Sequence, residues 1–198
     1  EDPQSRQAMQ GTVQTSGLAT DVDSYRSELQ GVHAMLLGLL AFCTFHHITE
    51  GSVKLGCDNL GCVRHGQHDW RKVPLSIAHV DLVCAIWVIK SKLPIKVHFE
   101  HIYGHQDDRL SFDNLPRLAQ LNVEMDQIAK DQLVELYNFP PATPCSSAIA
   151  HEGWHCTVNG AKLTTHPAKA LRRAVFGTKL STFLSDRQRL TRLAFFGH

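Results

Sequence analysis

Ser52-Val53-Lys54-Leu55-Gly56-Cys57-Asp58-Asn59 alternates, with Val53, Leu55 and Cys57 on one face, and it ends on an acid and an amide. A side-chain period of two predicts a β-strand, and Asp58 then stands at its C-terminal end. Long helical patterns flank this strand on both sides, which points to an α/β architecture.

Upstream, Tyr25, Leu29, Val32, Leu36, Leu39 and Cys43 recur every three or four residues. This spacing predicts a helix over 24–46, with Ser24 as its N-cap, Glu28 in its first two turns and Gly51 after its end. Residues 11–17 form a short extended candidate, followed by a loop. Downstream, Pro74 introduces a helix predicted over 75–92, apolar at Ile77, Val80, Val83, Cys84, Trp87 and Val88. The pattern leaves Asp81 between facing solvent and capping a neighbouring element. Pro94 ends that helix, and 95–103 (IKVHFEHIY) is a second strand feeding the loop Gly104-His105-Gln106-Asp107-Asp108. A third helix is predicted over 118–136, where Asn122 and Asp126, four residues apart, share a face.

Residues 139–150 hold three prolines and two serines and are expected to be a linker. Beyond it, 154–158 and 161–165 flank Asn159-Gly160, a strong hairpin signal. Pro167 opens a helix through Leu171, Val175 and Leu180, and 186–196 is a further helical candidate.

The composition, 43% apolar and 20% charged over 198 residues, is that of a globular chain, which excludes wholesale disorder and a coiled coil. The longest apolar run, from Met35 to Phe42, is too short to span a bilayer, so no membrane partner is expected. No basic-then-apolar leader opens the chain, and six cysteines are too sparse for a disulfide scaffold. An intracellular location, in cytoplasm or nucleus, is the expectation. Because the sequence opens on Glu1 rather than Met, it is also expected to be a piece of something longer.

The net charge of +1 is unevenly spread. Residues 1–150 carry 12 Lys+Arg against 17 Asp+Glu, whereas 151–198 carry 8 against 2. An acidic body with a basic tail fits an acid-lined metal centre beside a polyanion-binding arm.

In open α/β sheets, sites collect outside the carboxyl ends of the strands. Asp58 and the His105 loop both belong there if the two strands run parallel. Carboxylates gathered in this way repel one another unless a cation neutralises them. Hard oxygen donors suit Mg²⁺ or Mn²⁺ better than zinc. Two such ions roughly 3.5–4 Å apart can activate a water and stabilise the leaving oxygen of a phosphodiester.

Ser24-Tyr25-Arg26-Ser27-Glu28-Leu29, Cys57-Asp58-Asn59, Tyr103-Gly104-His105-Gln106-Asp107-Asp108 and Leu121-Asn122-Val123-Glu124-Met125-Asp126 together resemble successive motifs of the ribonuclease H family. The closest flavour is the domain that follows the polymerase in retroelement reverse transcriptases. The likeness covers roughly residues 11–137 and rests on the order, spacing and placement of the motifs rather than on any one of them.

The resemblance implies an RNase H-like mixed sheet flanked by helices over 1–138, beside which composition and turn signals set a linker over 139–152 and a small basic unit of hairpin and helix over 153–198. It implies that Glu28, Asp58 and Asp126 hold Mg²⁺ or Mn²⁺, and that His105 assists proton transfer or product release. Asn59 would lie beside the nucleic-acid backbone and Asn122 would support Asp126. The implied reaction is endonucleolytic cleavage of RNA in an RNA–DNA hybrid, with the polymerase region of the same polyprotein as a partner.

Only 27 residues precede Glu28, too few for the family's three opening strands, so the first strand and its Asp are predicted to be missing and this fragment to be weak or inactive. The alternative is a module that binds nucleic acid or a protein without turnover.

Three other groupings carry less. Cys57, Cys62, His65 and His68 are zinc-ligand types, but their spacing matches no standard finger and Cys57 belongs to a strand. His151, His155 and Cys156 are separated by the hairpin's alternation. In the tail, Arg172 and Arg173 are nucleic-acid-contact candidates, together with Lys162, Lys169, Lys179, Arg187, Arg189 and Arg192. The same residues equally describe the solvated face of an amphipathic helix.

Overall fold

The three-to-four periodicity upstream becomes α1 (Ser24–Phe45), and the alternating stretch becomes β1 (Ser52–Cys57). A computed structural model describes residues 10–16, 22–68, 76–139, 149, 152, 157–158, 161–177, 179 and 182. After β1 come α2 (Leu60–Gln67), α3 (Val80–Lys92), β2 (Lys96–His101) and α4 (Arg117–Asn138). A short hairpin, β3 (Thr157–Val158) and β4 (Ala161–Lys162), follows, and residues 167–177 are helical. The described chain is thus a mixed α/β structure in which helices predominate.

β1 and β2 pair in parallel, from Ser52 opposite Lys96 to Cys57 opposite His101. Parallel neighbours need a long crossover, and α2 and α3 lie within it. Both strands therefore deliver their C-terminal ends, and the loops beyond them, to the same edge. Among the described residues β1 pairs with β2 alone.

The sheet separates two apolar layers. On one face Leu55, Cys57 and Phe99 join Leu29, Val32 and Leu36 of α1, Cys62 and Val63 of α2, and Leu82, Val83, Ile86 and Ile89 of α3. On the other, Ile102 packs with Leu115, Ala119 and Leu118 at the start of α4. Gly56 is where this second layer touches the strand, since a Cβ there would lie 2.1 Å from Ile102 Cδ1. By length and apolar composition α1 could cross a membrane, but here its Leu29, Val32, Leu36 and Cys43 are core residues.

Several local expectations change. The N-cap of α1 is Asp23 rather than Ser24, because its carboxylate accepts the Arg26 N–H at 2.7 Å. Residues 10–16 join no sheet. α2 falls in a stretch for which no element was predicted, capped by Asn59, whose side chain accepts the N–H groups of Gly61 and Cys62.

The second long helix begins at Val80 rather than Leu75. His79 is left-handed at φ 51°, and the Val80 N–H donates to Thr164 O at 3.0 Å. Residues 69–75, with Pro74, lie outside the described residues. The hairpin pairs where Asn159-Gly160 predicted, with Thr157 opposite Lys162.

Asp81 neither faces solvent nor caps a helix. It is 2% exposed and takes both arms of the Arg26 guanidinium at 3.0 and 2.9 Å, with Arg26 itself fully buried. Lys162 Nζ lies 3.3 Å from the same carboxylate and 2.8 Å from Glu152. Lys162 is therefore an internal charge and not a phosphate contact. Ile149, from the stretch read as a linker, is buried in the main core.

Candidate metal centre

α1 carries Glu28 inward, one turn after its N-terminus. Asp58 directly follows β1, and the third turn of α4 carries Asp126. Oxygens of Glu28 and Asp58 lie within 4.8 Å of each other and of the Cys57 sulfur. Cys57 Sγ donates to Glu28 Oε2 at 3.7 Å.

Asp126 belongs to the same electrostatic neighbourhood. Its pKa lies above the usual aspartate value, raised first by burial and then by the Asp58 charge, with Lys130 and His105 opposing and Asp107 adding to the rise. The Glu28 carboxyl is likewise held high, first by burial, then by Asp58 and more weakly by Asp126, while its bond from Cys57 works against the shift. Acids from three separate parts of the chain thus feel one another, although Asp126, 98 positions after Glu28, stands outside the 4.8 Å group of Glu28, Cys57 and Asp58.

The loop after β2 forms the wall beside Asp58. A Cβ on Gly104 would lie 3.3 Å from Asp58 Oδ2, so backbone approaches the carboxylate where glycine has no side chain. His101 Nε2 lies 3.1 Å from the Asp58 carbonyl oxygen. His105 is exposed and holds a left-handed backbone at φ 53°, an uncommon conformation for a residue with a Cβ. Its charge acts on Asp126, lowering the Asp126 pKa.

The other predicted site residues have different places. Asn59 spends its side-chain oxygen on the α2 N-terminus. Asn122 is half-buried on α4, one turn before Asp126. Arg172 and Arg173 are exposed on the helical segment 167–177. Arg187, Arg189, Arg192, His151, His155 and Cys156 lie outside the described residues. Of the zinc-type grouping, Cys57 and Cys62 are in contact through their thiols, whereas His65 Nδ1 bonds to the Tyr25 hydroxyl.

Two members of the pocket were not singled out from sequence. Cys57 was weighed as an apolar strand residue and in a zinc-type grouping with Cys62, His65 and His68, but not with Glu28, although its adjacency to Asp58 was a signal. Asp107 was quoted within the loop motif without a role.

The donor set fits a divalent cation. Neighbouring carboxylates repel one another, and a positive charge placed among them favours their charged forms; oxygen donors of this kind are those of Mg²⁺ and Mn²⁺ sites. No protein-family model matches this sequence, and neither a curated protein nor a solved structure matches it.

Proposed function

We propose that this chain is an RNase H-like module acting on the RNA strand of RNA–DNA hybrids, as part of a retroelement reverse transcriptase polyprotein inside the cell. The observation that supports it best is the electrostatic convergence of Glu28, Asp58 and Asp126 at the C-terminal edge of a parallel strand pair. The motif order that resembles the family names the same three acids, and the geometry was no part of that resemblance.

In this reading Glu28, Asp58 and Asp126 hold Mg²⁺ or Mn²⁺. When bound, such ions supply an activated water and charge neutralisation at a phosphodiester. The chain's own contributions follow from their positions. Asp58 directly follows a paired strand, while Glu28 and Asp126 approach from helices on opposite layers. His105, exposed on the loop, is free to take or give a proton at the pocket rim. Tyr103, 74% exposed two residues earlier, offers a ring to the same solvent-facing side. A hybrid duplex would be held by its backbone and 2′-hydroxyls rather than by its bases.

The test is cleavage of a labelled RNA–DNA hybrid with Mg²⁺ or Mn²⁺ by the full chain and by Asp58→Asn. The reading expects weak metal-dependent cleavage, since the family's first strand and its Asp are predicted to be missing, and a fall of at least about a hundredfold in the variant, the loss typical when a metal or electrostatic group is removed from a site. Salt-sensitive hybrid binding without turnover would instead support a docking module.

A further inference from the structure

Glu28 reaches the pocket from the second turn of α1, and that end of the helix is clamped on its other side. Two residues along a helix turn the side chain through roughly 200°, so Arg26 and Glu28 point in nearly opposite directions. Arg26 is fully buried, donating to both oxygens of Asp81 at 3.0 and 2.9 Å and to the Ser16 carbonyl. Gln30, one turn on, accepts the Ser16 hydroxyl at 2.7 Å. Asp23, the N-cap, lies 3.1 Å from His79 Nε2, just before α3. Helix ends fray at little cost unless such partners hold them.

The clamp continues past α3. The Asp81 oxygen that takes Arg26 Nη2 lies 3.3 Å from Lys162 Nζ, and Lys162 lies 2.8 Å from Glu152. These four side chains carry two positive and two negative charges, and each is at most 9% exposed. Such a set holds together as a balanced whole, because removing one member leaves another charge buried and unpaired. Beside it, Thr164 O accepts the Val80 N–H at 3.0 Å, and Ile149 joins the main core. The chain after α4 thus supplies part of the seat in which the start of α1 rests.

We propose that Lys162 is a positioning residue for the metal centre. Through Asp81 and Arg26 it fixes the start of α1 and with it the direction of Glu28, so that docking of the hairpin and binding of a divalent cation favour one another. The proposal rests on the reading of Glu28, Asp58 and Asp126 as a metal site. Groups behind a ligand act on a metal by setting that ligand's direction, without touching the ion.

The test is Mn²⁺ binding to the full chain, read by electron paramagnetic resonance with Mn²⁺ as the only added metal. Lys162→Met keeps most of the bulk and removes the charge, and its affinity should fall at least about threefold. Lys162→Arg restores the positive charge and should recover most of that loss. Ile89→Val removes one buried methylene of α3 outside the network and should leave the affinity unchanged. Coupling between two sites is reciprocal, which gives a measurement that needs no variant. Added Mn²⁺ should slow amide exchange over residues 157–164 of wild type, read by mass spectrometry.

Equal affinity in wild type and Lys162→Met, or an equal loss in Lys162→Met and Lys162→Arg, would overturn the proposal. Exchange over 157–164 that ignores bound Mn²⁺ also overturns it, and this measurement decides alone if Lys162→Met does not fold. Wild type that binds no Mn²⁺ would sink the metal reading itself, whereas tight binding indifferent to Lys162 counts against this inference alone.

Discussion

Glu28 shows what the pocket costs the protein. Burial and two neighbouring acids hold its carboxyl above its ordinary value of 4.5, and Asp126 is held above 3.8 in the same way. A carboxyl with a raised folded-state pKa binds its proton more readily folded than unfolded. Its stabilising contribution is full below the unfolded value and is lost as pH rises through the folded one. Metal-free protein should therefore gain stability from this site as pH falls from 7 toward 4.5. Glu28→Gln should raise metal-free stability at pH 7 by a few tenths to about 1 kcal/mol and flatten that slope. Urea denaturation at pH 7 and pH 5 checks this, and a loss of stability in the variant at pH 7 would contradict it. The identities of these acids were legible because each stands at a recognisable point of an element. Their mutual repulsion was not, because it depends on distances across the fold.

Among the elements, α1, β1, β2 and α4 were readable because each is long enough to repeat its period, and their bounds moved by only a few residues. α2 was hidden for a physical reason. Its eight residues, LGCVRHGQ, include two glycines and span barely two turns, so periodicity has nothing to work on. Asn59 was the available signal, since its side chain caps the helix N-terminus.

Gly66 explains why such a poor helix former is tolerated. A Cβ there would lie 2.4 to 2.6 Å from three ring atoms of Phe99, so the glycine lets α2 lie against β2. Gly66→Ala sets a helix-propensity gain of about 1 kcal/mol against overpacking of a buried ring. Overpacking typically costs about 1–3 kcal/mol, and the contact with a rigid ring puts this case at the upper end. The expected outcome is a net destabilisation of about 1–2 kcal/mol. A variant more stable than wild type in chemical denaturation would show that Phe99 moves aside.

At the scale of the whole molecule, one buried charge network ties three regions together. Asp81 of α3 holds Arg26 of α1 on one side and Lys162 of β4 on the other, and Lys162 also holds Glu152. The charge asymmetry legible in the sequence is real as composition, but it did not reveal that Lys162 is internal. A lysine beside a hairpin turn has the same local pattern whether it faces water or a distant aspartate. Asp81 was equally ambiguous, since only the tertiary fold brings Arg26 to it. Asp81→Ala leaves the fully buried guanidinium without its partner, and Lys162 with Glu152 alone, so it should cost about 3–5 kcal/mol. Thermal and urea unfolding of the full chain would read this as a large fall in midpoint, and a change below about 0.5 kcal/mol would mean the network is not formed.

The central claim is that Glu28, Asp58 and Asp126 act as one site for a hard divalent cation. Manganese binding measured by electron paramagnetic resonance on the full chain tests it most directly, because free and bound Mn²⁺ are read without assuming any reaction. Wild type should bind Mn²⁺, with affinity falling about tenfold or more in Asp58→Asn and in Asp126→Asn alike. Equal binding by wild type and both variants would contradict the account.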